Sequence, residues 1–333
     1  MEPEQLAYTV PFQLTKTIRR DPYDALQGFS AAGKLIVITG AGSGIGAASA
    51  VVWARAGAEG IALAGRRLEK LEETASHIRA LKNGSKTKLL AVPTDVTKDA
   101  DVANLFAQTV KTFGRSPDVV LSNAGAVEVG PMGEQGVDVW WGILSLNLKG
   151  VYATAHHFIK SQPNPKEPKG TFIETNSIIA GMIAPGFSAY SVSKLGGQRL
   201  IEYLDTGMFL QSAAVSFLAC PQGRPFVLKN MVNCSEYPTL RSFSLFPGLV
   251  KTPMLSDDLV GIFGNYAHDH VDLTGLLSLY LSESRADYLK GGLASVNWDV
   301  KEMEAHKDEI QKDKLLHLKW VPILPVSGGK GLQ

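Results

Sequence analysis

Leu35-Ile-Val-Ile-Thr-Gly-Ala-Gly-Ser-Gly-Ile-Gly-Ala-Ala-Ser-Ala-Val-Val-Trp-Ala-Arg55 reads as a strand, a glycine turn and a helix in one pass. The run from Lys34 to Thr39 reads as a buried strand, apolar without alternation after its first residue, as expected of a strand covered on both faces. Glycines between Gly40 and Gly46 let main chain come close to a pyrophosphate. The helix that follows offers unpaired N–H groups and a partial positive charge at its start. A glycine loop alone is often only a turn, but between a β-branched strand and an alanine-rich helix it points to nucleotide binding.

The same unit recurs downstream. Ile61–Ala64 forms a second strand, followed by Gly65-Arg66-Arg67 and a helix to about Lys82. At the end of this strand an acidic residue would take the 2′-hydroxyl of NAD, whereas arginine suits a 2′-phosphate. Arg66 therefore favours NADP, the other reading being that the arginines cap a surface loop. Leu89–Val92 is a third strand, leading to Asp95, placed to meet an adenine edge. A helix at about 99–113 precedes the strand Val119–Leu121 and the small-residue stretch Ser122-Asn123-Ala124-Gly125, which would let the chain pass close to a ligand. The helical region 137–160 holds Asn147 in its interior, either as a polar surface position or as a disturbance of the helix. Pro163, Pro165 and Pro168 end it, and Thr171–Thr175 is a fifth strand that delivers Ser177. This alternation predicts an α/β, doubly wound parallel sheet of Rossmann type, with ligand-binding turns gathered at one edge.

The stretch SIIAGMIAPGFSAYSVSK, Ser177 to Lys194, carries the reactive groups. On a helix starting near Ser188, Tyr190 and Lys194 share one face a turn apart. An ammonium beside a phenol favours the phenolate, which would bring a tyrosine that ordinarily titrates near pH ~10 toward acid–base work. Ser177, at a strand end, is placed to hydrogen-bond the same reacting oxygen. Taken alone, a tyrosine and a lysine four apart are usually a half-buried ring and a solvated amine.

Together, Thr39–Gly46, Asp95-Val96, Ser122–Gly125, Asn147, Ser177, Tyr190-xxx-Lys194, Pro247-Gly248 and Thr252 resemble the short-chain dehydrogenases/reductases of the classical type, in their order and spacing. The resemblance covers about 34–206 and 236–300. It implies strand order 3-2-1-4-5-6-7, with Tyr190 as general acid/base and Lys194 lowering its pKa while holding the nicotinamide ribose. Ser177 would position the substrate oxygen, and Asn147 would support a water-linked proton path. Gly40, Gly44 and Gly46 would surround the pyrophosphate, Asn123 and Gly125 the adenosine-side ribose, and Thr252 the carboxamide end. Thr39, Ser43, Ile45, Arg66, Asp95, Val96, Ala124, Pro247, Gly248 and Val250 complete the expected cofactor contacts. Departures are mild, with Ser122 where asparagine is frequent and Asn176 beside the serine. LTKTIRRDPYDAL and SVNWDVKEMEAHKDEI look similar to fungal members, and a homodimer or homotetramer is the assembly the resemblance implies.

The chain of 333 residues has a net charge of +1, which gives no reason to expect nucleic acid or an anionic membrane as partner. Two cysteines form no disulfide framework, no Cys/His cluster has zinc spacing, and no apolar run reaches the ~20 residues of a spanning helix. The N-terminus lacks a secretory pattern, so a cytoplasmic, metal-free protein is expected. Residues 1–32 read as an arm over the surface, 33–300 as a single domain, and 301–333 as a helical extension and tail, with Leu315–Pro325 able to pack on the body or a partner. The apolar segment 253–275, with Met254, Leu255, Leu259, Ile262, Phe263 and Tyr266, reads as a lid.

Residues 207–235 break the pattern. They hold both cysteines and only two charges, Arg224 and Lys229, and removing them joins Thr206 to Glu236 in a family-like connection. The Gly-Met-Phe start and Asn-Cys-Ser end are compatible with splice donor and acceptor sequences, so the segment reads as translated intron, the competing reading being a genuine loop. A version lacking 207–235 is expected to be more stable or more oligomeric, because the insert is apolar and follows the helix that carries Tyr190. Equal melting temperatures and equal sizes in solution would count against this. The function expected is an NADP-dependent oxidoreductase acting on a small, largely apolar carbonyl or secondary alcohol. The alternative is a cofactor-binding protein or splice isoform whose catalysis is impaired by the insert.

Overall fold

Seven parallel strands form one sheet in the order β3-β2-β1-β4-β5-β6-β7, as expected. The computed structural model describes residues 13–81, 86–206, 237, 239–254, 264 and 266–318. The strands are β1 Leu35–Thr39, β2 Gly60–Gly65, β3 Lys88–Pro93, β4 Val119–Ser122, β5 Gly170–Thr175, β6 Leu240–Phe246 and β7 Leu293–Ser295. The helices, in chain order, are α1 Gly44–Arg55, α2 Leu68–Arg79, α3 Asp99–Phe113, α4 Val137–Leu144, α5 Gly150–Ser161, α6 Ser188–Thr206, α7 Asp272–Leu281, α8 Val300–Ala305 and α9 Lys307–Asp313. The insert at 207–235 and, of the expected lid, residues 255–263 and 265 lie outside the described residues, while 272–275 at its end belong to α7.

β1 is fully buried because it sits between β2 and β4, with Ile36 opposite Ile61 on one side and Val119 on the other. Its side chains alternate between two cores. Ile36 and Ile38 join Trp53, Leu277 and Tyr280, while Val37 joins Phe106, Phe158, Phe172 and Ile201. Each such ring or aliphatic side chain contributes about 1.5–3 kcal/mol on burial. α1 and α7 pack so closely that a Cβ on Gly275 would lie 2.8 Å from Val52 Cβ and 3.0 Å from Ser49 Cα. After β3 the chain returns to the far side of β1, so the turns leaving β1 and β4 diverge. That divergence opens the crevice in which such sheets hold ligands.

The described part of the N-terminal arm, from residue 13 on, does more than lie over the surface. Leu26 and Ala31 are fully buried, and Ile18 makes an antiparallel bridge to Trp298. Arg20 pairs with Asp269 at 3.0 Å, and the same carboxylate accepts from Asn297 Nδ2 at 2.8 Å and from the Leu249 N–H at 2.6 Å. The arm is thereby tied to the turn after β6. At the other terminus, Leu316 accepts from the Leu293 N–H at 3.1 Å and the Leu318 N–H donates to Glu202 at 2.6 Å, so this part of the tail packs on the body. No helix among the described residues is long and apolar enough to cross a membrane.

Candidate active site

The glycine turn between β1 and α1 is held by its neighbour. The Thr39 hydroxyl accepts from the Asn123 and Ala124 N–H groups at 2.9 and 3.0 Å, and Asn123 Nδ2 donates to the Thr39 carbonyl at 3.1 Å. Gly40 and Gly44 take positive φ, 71° and 51°, which other residues adopt only with strain. Gly46 is needed for space, since a Cβ there would lie 2.3 Å from the Gly40 carbonyl oxygen. Ser43 begins α1 without a side-chain cap, leaving the first N–H groups of the helix turned to the crevice. Thr252 closes over this turn, 3.3 Å from where a Cβ on Gly44 would stand.

One cleft runs from this turn in both directions. Gly40, Ser43, Gly44 and Ile45 line its middle, as do Asn123, Ala124 and Gly125. Arg66, Asp95 and Val96 stand at one end, and Tyr190, Lys194, Pro247 and Thr252 at the other. Four of the expected cofactor contacts lie behind the wall instead, and the catalytic candidates Asn147 and Ser177 are outside the lining as well. Thr39 and Gly46 are buried supports of the turn, Gly248 packs against Asp269 with φ 76°, and Val250 is buried. Sequence reasoning missed Lys70, whose place one helical turn beyond Arg66 is the signal that it shares the cationic end with Arg66 and Arg67. It also missed Thr94, Leu146 and Thr175 in the lining, where residue type carries no signal.

Asp95 is anchored by its neighbours: Oδ1 accepts from the Thr97 N–H at 3.1 Å and the Thr97 hydroxyl at 2.8 Å. Burial would raise this carboxyl, but those bonds and the charges of Lys98 and Arg66 hold it below the usual range.

Asn147 disturbs its helix, the second of the two alternatives. It lies in a π turn, Ser145–Lys149, between α4 and α5, and its side chain is fully buried. Its Oδ1 accepts from the Ala126 N–H at 2.9 Å, while Nδ2 donates to the Ala126 carbonyl at 2.8 Å and to Ser193 Oγ at 3.1 Å. The amide therefore fastens the strand-end loop after β4 to α6.

Ser177 caps a short 3-10 turn, Ile178–Gly181, accepting from the Ile179 N–H at 3.3 Å. Tyr190 stands half-buried on the first turn of α6, with the Lys194 ammonium 5.7 Å from its ring centre. That ammonium donates to the Thr175 carbonyl at 2.7 Å. The surroundings of Tyr190 run against the expected lowering. Burial pushes the phenol up to about 12, against the pull of a hydrogen bond with Ser177, and the nearby Glu174 adds to the rise. Burial also lowers Lys194, with Glu174 opposing it.

The donor set fits a dinucleotide. A main-chain cradle that a Cβ would fill takes a pyrophosphate, and Arg66, Arg67 and Lys70 face one end. At the other end the Tyr190 phenol and the Lys194 ammonium line the cleft, and the Ser177 hydroxyl hydrogen-bonds with the phenol. Among the described residues no group of His, Cys, Asp and Glu is placed to hold a metal.

Comparison with known proteins agrees with this geometry. Residues 34–221 match the family described as short chain dehydrogenase. The chain is similar to the short chain dehydrogenase mpl6 of Monascus purpureus, 31% identical over 291 residues, 85% of this chain and 87% of the relative. It is also similar to the short chain dehydrogenase pigC of Monascus ruber, 28% identical over 93% of this chain and 94% of that one. A short-chain type dehydrogenase/reductase structure from Mycobacterium marinum superposes with a TM-score of 0.65 at 24% identity, covering 82% of this chain and 98% of its own, a likeness of fold.

Proposed function

The chain belongs to the short chain dehydrogenase family, and from that premise we propose that it is an NADP-dependent oxidoreductase interconverting a carbonyl and a secondary alcohol on a small, largely apolar substrate. Membership itself implies an oxidoreductase using a nicotinamide cofactor. The observation that carries the finer reading is the single cleft with three cations at one end and Tyr190 and Lys194 at the other.

Bound along the cleft, a nicotinamide dinucleotide supplies or accepts the hydride, chemistry that no side chain here provides. The protein's own part is acid–base and positional. With its phenol raised to about 12, Tyr190 is protonated at neutral pH and is the donor to a substrate carbonyl oxygen during reduction. Ser177 beside it holds that oxygen. Lys194 supplies positive charge at the same end, and Asn147 keeps the β4 loop and α6 in register. Exposed Met254 and its neighbour Pro253 border the cleft beside Thr252 with apolar surface.

For Arg66→Ala, NADPH affinity falls about 10- to 100-fold, the scale of a lost hydrogen bond to a charged group. NADH affinity falls far less. Fluorescence titration of both cofactors measures this, and equal losses for the two would remove the argument for NADP.

A further inference from the structure

Glu174 is a carboxylate where the fold calls for none. It sits on β5 with no exposure, in register with Ser122 of β4 and Ser244 of β6. Its Oε2 accepts from Asn176 Nδ2 and from the Ser244 hydroxyl, both at 3.1 Å. Its Oε1 has no hydrogen-bond partner, and Gly197 of α6 presses on it so closely that a Cβ there would stand 1.9 Å away. A buried carboxyl with one oxygen unmatched is costly, and an apolar side chain would serve packing better.

The neighbours show what the group holds. The Asn176 amide donates to Glu174 and also to the Lys194 carbonyl at 3.1 Å, and its Oδ1 accepts from the Ser177 N–H at 2.7 Å. One amide thus fixes the main chain of two reactive residues, and Glu174 fixes that amide. The residue next to Glu174 on the strand, Thr175, supplies the carbonyl that anchors the Lys194 ammonium.

We propose that Glu174 is a positioning residue of the catalytic pair and makes cofactor binding respond to proton concentration through Asn176 and Lys194. The proposal rests on the reading of Tyr190 and Lys194 given above. The titratable groups of α6 that act with Glu174 are Lys194 and, beyond it, Tyr190, while the strands on either side present serines. Burial lifts the Glu174 carboxyl to about 7, against the pull of Lys194, Ser244 and Asn176, so both protonation states are reached near neutral pH. When the carboxyl is neutral, the Lys194 charge acts undiminished on the cleft. When it ionises, it balances that charge from below, and an anionic cofactor is held less well.

The test is cofactor affinity measured by fluorescence titration from pH 5.5 to 8.5 on the full chain, with Glu174→Gln and Glu174→Asp beside the parent. The ratio of parent to Glu174→Gln affinity for NADPH is expected to fall about tenfold across this range, the scale of one buried charge acting over several ångströms. The titration of the 2′-phosphate is common to both proteins and cancels in the ratio. Glu174→Asp, which keeps the carboxyl, retains a slope. A flat ratio overturns the proposal, as does an Asp variant that behaves like the Gln variant. If Glu174→Gln does not fold, the parent's affinity for NADH, which has no 2′-phosphate, must itself fall with pH, and a flat profile overturns the proposal. Tyr190→Phe keeps the slope, because the slope reads Lys194. Its turnover tests the tyrosine's role separately.

Discussion

Tyr190→Phe lowers carbonyl turnover with NADPH by about 10²- to 10⁴-fold, the range supplied by a placed general acid, and leaves NADPH binding largely intact. The substitution removes one oxygen. The ring stays packed against the Ile179 and Phe187 cluster, and Lys194 keeps its bond to Thr175, so the cofactor end of the cleft is preserved. The phenol, at about 12 in the free protein, is protonated through the neutral range and ready to donate. Reduction should therefore vary little between pH 6 and 8 on account of this group, whereas alcohol oxidation needs the phenolate and should speed up as pH rises. A panel of apolar ketones and aldehydes with stopped-time NADPH absorbance provides the measurement. If the Phe variant turns over as fast as the parent, Tyr190 is not the acid. If the parent binds NADPH and turns over nothing, the chain is a cofactor-binding protein in which catalysis has lapsed.

The layout of the sheet was legible because its signals are local. Unbroken apolar runs such as Leu35–Thr39 and glycines at fixed offsets are written in neighbouring residues, while the order of the strands, which the family resemblance implied, is the one observed. Asn147 was legible as an anomaly, since a residue that fits a helix interior poorly does sit in a π turn. Other features depend on contacts between distant segments. Glu174 is the penultimate residue of β5, and the pattern of the strand does not mark it as buried. Only β6 and α6, closing over it, show that it is buried. Arg20 and Asp269 lie 249 positions apart, and no spacing rule joins them. The electrostatics of Tyr190 failed for the same reason. Tyrosine and lysine four apart predict a lowered phenol, but Lys194 is turned to Thr175 and partly balanced by a carboxylate that the helix pattern does not contain.

Raising the pH from 5 to 8 lowers the stability of the ligand-free parent by about 2–3 kcal/mol relative to Glu174→Gln. A carboxyl whose ordinary value is 4.5 and whose folded value is about 7 binds its proton more tightly when folded. Its contribution is therefore complete below pH 4.5 and is lost as pH rises through 7. Protonated, Glu174 can donate to the Ser244 hydroxyl or accept from it while it accepts from Asn176 Nδ2; ionised, it leaves a charge in a fully buried site with one oxygen unmatched. Asp269 and Glu202 are also raised by burial, and Asp95, Asp99, Asp299 and Glu302 are held low, so the parent's own curve is a sum of opposing slopes. The Gln variant carries the same other groups, so subtracting its curve leaves Glu174 together with its coupling to Lys194. Lys194, lowered by burial, gains stability with rising pH in a window that ends at its ordinary value of 10.5. Urea unfolding at pH 5, 6, 7 and 8 gives the difference directly, and parallel curves for parent and variant would show that the carboxyl does not titrate in this range. A sloping difference would mean that the protein tolerates a strained acid beneath its reactive pair, a cost to stability that packing alone does not explain.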